Sequence, residues 1–175
     1  MLRMRIIILG FAMIFGGNIY SQDMLSKISK KLYKCQLKIK PKEKDLKSSF
    51  YEIRTKIDSL NKFNSIGDID TICFLESFDI ENGTLYGKIW NSKNEGIEYT
   101  YYRGKFDFNQ NDVFTRYTCK LIEEWDIPQL RKEEKVNSTM TNPLTIFGSK
   151  IFLKKGKVKA KCIKFKEFYN LERDR

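Results

Sequence analysis

The 175-residue chain contains no histidine, which removes Ser/His and Cys/His nucleophile pairs and every histidine-bound metal together. The side chains left for chemistry are lysines, carboxylates, cysteines and hydroxyls. Between Lys150 and Lys166 stand eight lysines and no acid. Lys154, Lys155 and Lys157 gather at a predicted turn, while Lys159 and Lys161 alternate with Val158, Ala160 and Cys162. In a strand, the two lysines lie on the face opposite the apolar set. Tyr99, Tyr101 and Arg103 share a second strand face, as an aromatic ladder or a stacking platform. Charge is also divided along the chain. Residues 66–112 carry nine acids against four bases, so the positive excess falls in Lys27–Lys47 and Lys150–Lys166.

Other motifs are weaker. Asp107-x-Asn109-x-Asn111 opens like a calcium loop, but Asp112 stands where the tight turn needs glycine and Thr118 where a bidentate glutamate belongs. Glu123, Glu124 and Asp126 flank Trp125, yet neighbours in a strand point to opposite faces and do not converge on one bond. Asn82-Gly83-Thr84 and Asn137-Ser138-Thr139 have the form of glycosylation sequons in predicted turns. Tyr86-Gly87-Lys88, Trp90 and Gly96 read as an ordinary hairpin. The sequence implies no cofactor and no metal site.

Cys35, Cys73, Cys119 and Cys162 are even in number and include no Cys-x-x-Cys, which argues against a zinc knuckle or a thioredoxin-type site. Either they pair, with three pairings open, or they are buried thiols acting as small hydrophobes. Their environment depends on the N-terminus. Arg3 and Arg5 precede the apolar run Ile6–Phe15, which Gly16-Gly17-Asn18 breaks short of the roughly 17 residues a membrane-spanning helix requires. Residues 1–21 are therefore expected to be a signal peptide cleaved between Ser21 and Gln22. Residues 22–175 would form one exported domain, periplasmic or secreted, where disulfides persist.

The elements that must position these residues follow from periodicity. Leu25, Ile28 and Leu32 predict a short helix, and Cys35, Leu37 and Ile39 a strand ended by Pro41. Leu46, Phe50, Ile53, Ile57 and Leu60 make a helical stripe over Glu43–Lys62, expected to be buried against a sheet. Ile72–Leu75, Leu85–Trp90, Ile97–Phe108 and Val113–Ile122 predict a four-stranded meander, with turns at Asn82-Gly83 and Asn109–Asp112. A short helix after Pro128 and a final hairpin, Ile146–Leu153 with Val158–Phe165, complete the chain. That hairpin slips phase at Ile163, as a bulge would make it. The fold expected is α+β: one long amphipathic helix, plus a short N-terminal one, on a mainly antiparallel six- to seven-stranded sheet.

These features predict an exported non-enzymatic binding or accessory protein of the cell envelope. Its lysine-rich hairpin would engage an anionic envelope component or another envelope protein. Export and the lack of recognition motifs argue against nucleic acid. The alternative is a secreted enzyme or effector whose carboxylate-based or Ser/Lys site assembles from distant residues.

Overall fold

The computed structural model describes residues 26–39, 44–60, 70–79, 82–93, 95–108, 114–136, 145–154 and 157–166. Six strands form one sheet in the order β4-β3-β2-β1-β5-β6: β1 (Thr71–Asp79), β2 (Thr84–Asn91), β3 (Gly96–Tyr102), β4 (Lys105–Asp107), β5 (Thr145–Lys154) and β6 (Lys157–Lys166). Every neighbouring pair is antiparallel. The described residues hold four helices, α1 (26–39), α2 (Lys44–Ser59), α3 (Arg116–Glu124) and α4 (Ile127–Val136). The class is thus α+β with an antiparallel sheet, but the helices lie on both faces of that sheet rather than on one. The predicted signal peptide, the Asn109–Asp112 turn and the Asn137 sequon lie outside the described residues, as does the middle of the calcium-like loop, whose Asp107 ends β4 and whose Thr118 is in α3.

Helices on both faces explain the burial pattern. On one side Ile72 and Phe74 of β1 meet Ile28 and Leu32 of α1 and Phe50, Ile53 and Ile57 of α2. On the other, Cys73 and Leu75 meet Cys119, Leu121 and Ile122 of α3 and Leu130 of α4. Central β1 is accordingly buried from Ile72 to Ser77 without the alternation of a half-solvated strand.

Several expectations need correction. Cys35, Leu37 and Ile39 continue α1 instead of forming a strand, because Ile28, Leu32 and Gln36 make a helical stripe that α1 buries against the sheet. Val113–Ile122 was expected to be extended, and its Phe, Tyr, Thr and Ile content favours strands. From Arg116 it is helical instead. The Thr115 hydroxyl accepts from the Thr118 N–H at 3.1 Å, and Thr118, Cys119, Leu121 and Ile122 then form one buried stripe. β6 has no bulge: its register with β5 is unbroken from Lys154↔Lys157 to Thr145↔Lys166. The apparent slip at Ile163 arises because Val158, Ala160 and Cys162 face α1 and α2 while Ile163 and Phe165 face α3 and α4. Ile97–Phe108 is two strands, not one, turned at Arg103 (φ 46°) and Gly104 (φ 83°), both in the positive-φ region that a tight two-residue hairpin needs. Leu60 is 50% exposed, since α2 ends at Ser59, whose hydroxyl donates to the Lys56 carbonyl.

Between α1, α2 and the sheet lies a buried polar cluster. Arg54 Nη1 of α2 donates to both carboxylate oxygens of Glu76 at 2.7 Å, and Gln36 Nε2 of α1 donates to Glu76 Oε2 at 2.7 Å. Both charged side chains are fully buried. Burial raises the Glu76 pKa, against the pull of Arg54 and Gln36. Tyr99 reaches towards this cluster across β2, where Gly87 leaves room: a Cβ there would stand 2.1 Å from the Tyr99 ring. Burial likewise raises the Tyr99 hydroxyl well above its ordinary value.

A disulfide joins Cys35 of α1 to Cys162 of β6, with Cα atoms 6.0 Å apart. Cys73 and Cys119 remain free thiols in the core facing α3 and α4. Burial pushes their pKa values up to about 12 and about 11.

Two outcomes follow. Arg54→Ala and Glu76→Ala should each lower the urea-unfolding free energy by about 3–5 kcal/mol, because each strands a buried partner. The Arg54→Met/Glu76→Leu double variant should lose much less than the sum, and additive losses would show that the pair is not coupled. Alkylation of folded, non-reduced protein at pH 8 should label no thiol quickly, since thiolate is scarce when the pKa is near 11 or 12. Denaturant should expose two thiols and denaturant with reductant four, as counted by mass spectrometry.

Candidate functional site

The lysines come together at the tip of the β5–β6 hairpin, and register decides how. Residues opposite one another on adjacent strands, or two apart along one, share a face. Lys150 is opposite Cys73 and opposite Lys161, Phe152 is opposite Lys159, and Lys154 is opposite Lys157. These six side chains of the hairpin therefore occupy the sheet face that α3 and α4 cover elsewhere. Its other face carries Ile151, Leu153, Val158, Ala160 and Cys162 in the core. Five lysines surround one phenylalanine, and two cross-strand pairs set like charge against like, an arrangement that destabilises a hairpin by a few tenths to about 1 kcal/mol per pair.

Lys154, Lys157, Lys159 and Lys161 are exposed, and Lys150 and Phe152 half-buried. Lys154, Lys157 and Lys159 make no ion pair with any described residue. Lys150 and Lys161 instead lie over aromatic rings: both place Nζ 5.4 Å from the Phe152 centroid, and Lys161 is also 5.8 Å from that of Trp125. Lys155 lies outside the described residues.

The end of α3 walls this face on one side. Trp125 is its C-cap at φ 59° and ψ 38°, a left-handed conformation usually taken by glycine there. The Trp125 N–H donates to the Ile122 carbonyl at 3.2 Å and the Asp126 N–H to Leu121 at 2.9 Å. Lys150 Nζ donates to the Glu123 carbonyl in the same turn, where the helix dipole favours a cation. The Glu123 carboxylate accepts from the Trp90 indole.

The nearby carboxylates thus hold structure. Glu123 bonds Trp90, Glu124 stands 3.9 Å from Lys120, and Asp126 Oδ1 caps α4 through the Gln129 N–H at 3.0 Å. No group of three or more metal-ligating side chains occurs among the described residues.

Tyr99, Tyr101 and Arg103 sit at the other end of the sheet. Tyr99 is 2% exposed, beneath Phe106. Tyr101 packs on Phe106 at 4.8 Å and accepts from Lys56 Nζ at 3.0 Å. Arg103 is in the hairpin turn, its guanidinium 5.0 Å over Tyr102. Tyr99 and Tyr101 are an aromatic ladder inside the sheet and leave no open stacking platform with Arg103.

Sequence reasoning missed Lys150, Phe152 and Trp125. The signal for the first two was present in the alternation of Lys150, Phe152 and Lys154, which becomes legible only once β5 and β6 are paired. Trp125 joins the site through the helical fold of α3, where an extended segment was expected. Comparison of the chain with models of known families, with curated proteins and with solved structures gives no match.

Proposed function

We propose that the chain is an exported, non-enzymatic binding or accessory protein of the cell envelope that holds an anionic partner on the lysine face of the β5–β6 hairpin. The carrying observation is the opposition of Lys150 to Lys161 and of Lys154 to Lys157 around Phe152. Cross-strand positions on a sheet are where opposite charges stabilise, and either position of each pair could hold an acid. A fold that keeps ammonium groups on both sides has its favourable electrostatics completed by an outside anion. Export rests on the charged and apolar N-terminus, residues 1–21, with the Cys35–Cys162 disulfide in keeping with an oxidising compartment.

The reading makes stability and binding move in opposite directions. Lys154→Glu and Lys161→Glu each turn a repulsive cross-strand pair into an attractive one. Each should hold or raise the urea midpoint, by up to about 1 kcal/mol of stability, while weakening capture of the protein by envelope extract. The combined Lys154→Glu, Lys157→Glu, Lys159→Glu and Lys161→Glu variant should abolish that capture, as should raising the salt above physiological strength, where exposed charges are screened within about 8 Å. Undiminished capture in both cases would reduce the lysines to solubility and edge protection. Export is checked separately. N-terminal sequencing of envelope-recovered protein should begin at or near Gln22, and an intact residue 1 would refute cleavage.

A further inference from the structure

Taking the lysine tip as the binding surface, as proposed above, we infer that its partner is a linear polyanion lying along the hairpin, not the flat surface of a membrane. Two observations separate these shapes.

The first is a step in the surface. The α3–α4 layer covers its face of the sheet up to Gly148, where a Cβ would stand 2.6 Å from Ile122 Cδ1, and over Ile163 and Phe165 of β6. The next row outward is Lys150 with Lys161, and the end of α3 stands directly beside it through the Lys150–Glu123 bond and the Lys161–Trp125 contact. A helix with its side chains is about 10 Å across. A planar surface therefore meets the helices before it reaches this row, while a flexible chain can lie at the foot of the step. The membrane-anchoring kind of residue is also placed elsewhere: the exposed large hydrophobics among the described residues are Leu60, beyond α2, and Tyr102, at the β3–β4 turn.

The second is the shape of the array. Lys157, Lys159 and Lys161 stand in one column along β6, about 6.7 Å apart at the rise of an extended strand. Lys150 and Lys154 flank Phe152 in a parallel column about 5 Å away. The result is a stripe one hairpin wide. A single phosphate can meet only one row, whereas successive anionic groups of a chain each find an ammonium. Lys161 now rests on Phe152 and Trp125, contacts that an incoming anion replaces by drawing the ammonium group outward and uncovering the rings for the polymer backbone.

The test uses the full mature chain, with binding followed by tryptophan fluorescence and by calorimetry. The probes are inorganic polyphosphate, orthophosphate at equal total phosphate, and phosphatidylcholine vesicles containing phosphatidylglycerol. Polyphosphate should bind at least roughly 100-fold more tightly per phosphate than orthophosphate, through linked contacts. Log affinity should fall linearly with log salt, and Lys157→Glu/Lys159→Glu should flatten that slope. Equal affinity per phosphate for the two phosphates would overturn the polymer inference in favour of a point site. Vesicle binding without polyphosphate binding would overturn it in favour of a membrane, with the lysine face as binding surface intact. Binding of none of the three would remove the proposed function together with the inference.

Discussion

The pair of Arg54 and Glu76 constrains more of this structure than any other contact. Glu76 sits on central β1, with neither charge reaching water. A buried carboxylate and guanidinium need neighbours to satisfy their hydrogen bonds, and here Nη1 and Nη2 of Arg54 are partnered while Nε is not. Gln36 supplies one such bond from α1, so the first helix, the second helix and the middle of the sheet are bound to one point. Slipping β1 by one residue would move Glu76 to the opposite face, away from both helices. The pair fixes which face of the sheet receives α1 and α2, and in doing so leaves the other face to α3 and α4.

Much of the fold was readable, and the two segments misread as strands share a cause. The stripe of Phe50, Ile53 and Ile57 identified α2 because that helix has one buried side. The Asn82-Gly83 turn and the β5–β6 hairpin were visible because turn residues act locally: Gly83 adopts φ 64°. Both misread segments lie where the environment comes from residues distant in sequence. Cys35, Leu37 and Ile39 alternate in sequence, but the distant Glu76 and Cys162 draw Gln36 and Cys35 into a helix. Tyr117, Thr118 and Ile122 favour strand locally, and the α3 stripe forms because the sheet offers Leu75 and Ile146 to it.

The candidate site was legible as a charge and illegible as a shape. Lys159 and Lys161 could be assigned to one strand face from their spacing alone. The opposition of Lys150 to Lys161, and the place of Phe152 among five lysines, depend on a pairing register that only the folded hairpin supplies. The α3–α4 layer then converts a basic strand face into a ledge. The α1–α2 core beneath it packs Val158, Ala160 and Cys162, so that the lysines are displayed on a rigid support.

The Cys35–Cys162 bond spans a sequence separation of 127 residues, from the first described helix to the last strand. It makes most of the protein a covalent ring. In the chain-entropy account, closing a loop of that length disfavours the unfolded chain by about 5 kcal/mol. It also changes what proteolytic damage means: a protease that cuts any connection between these two cysteines opens the ring without releasing a fragment, and the lysine-bearing edge strand stays tethered to α1. The same bond imposes an order on biogenesis. Cys162 follows Cys35 by 127 residues, so the ring can close only after that whole stretch has been synthesised.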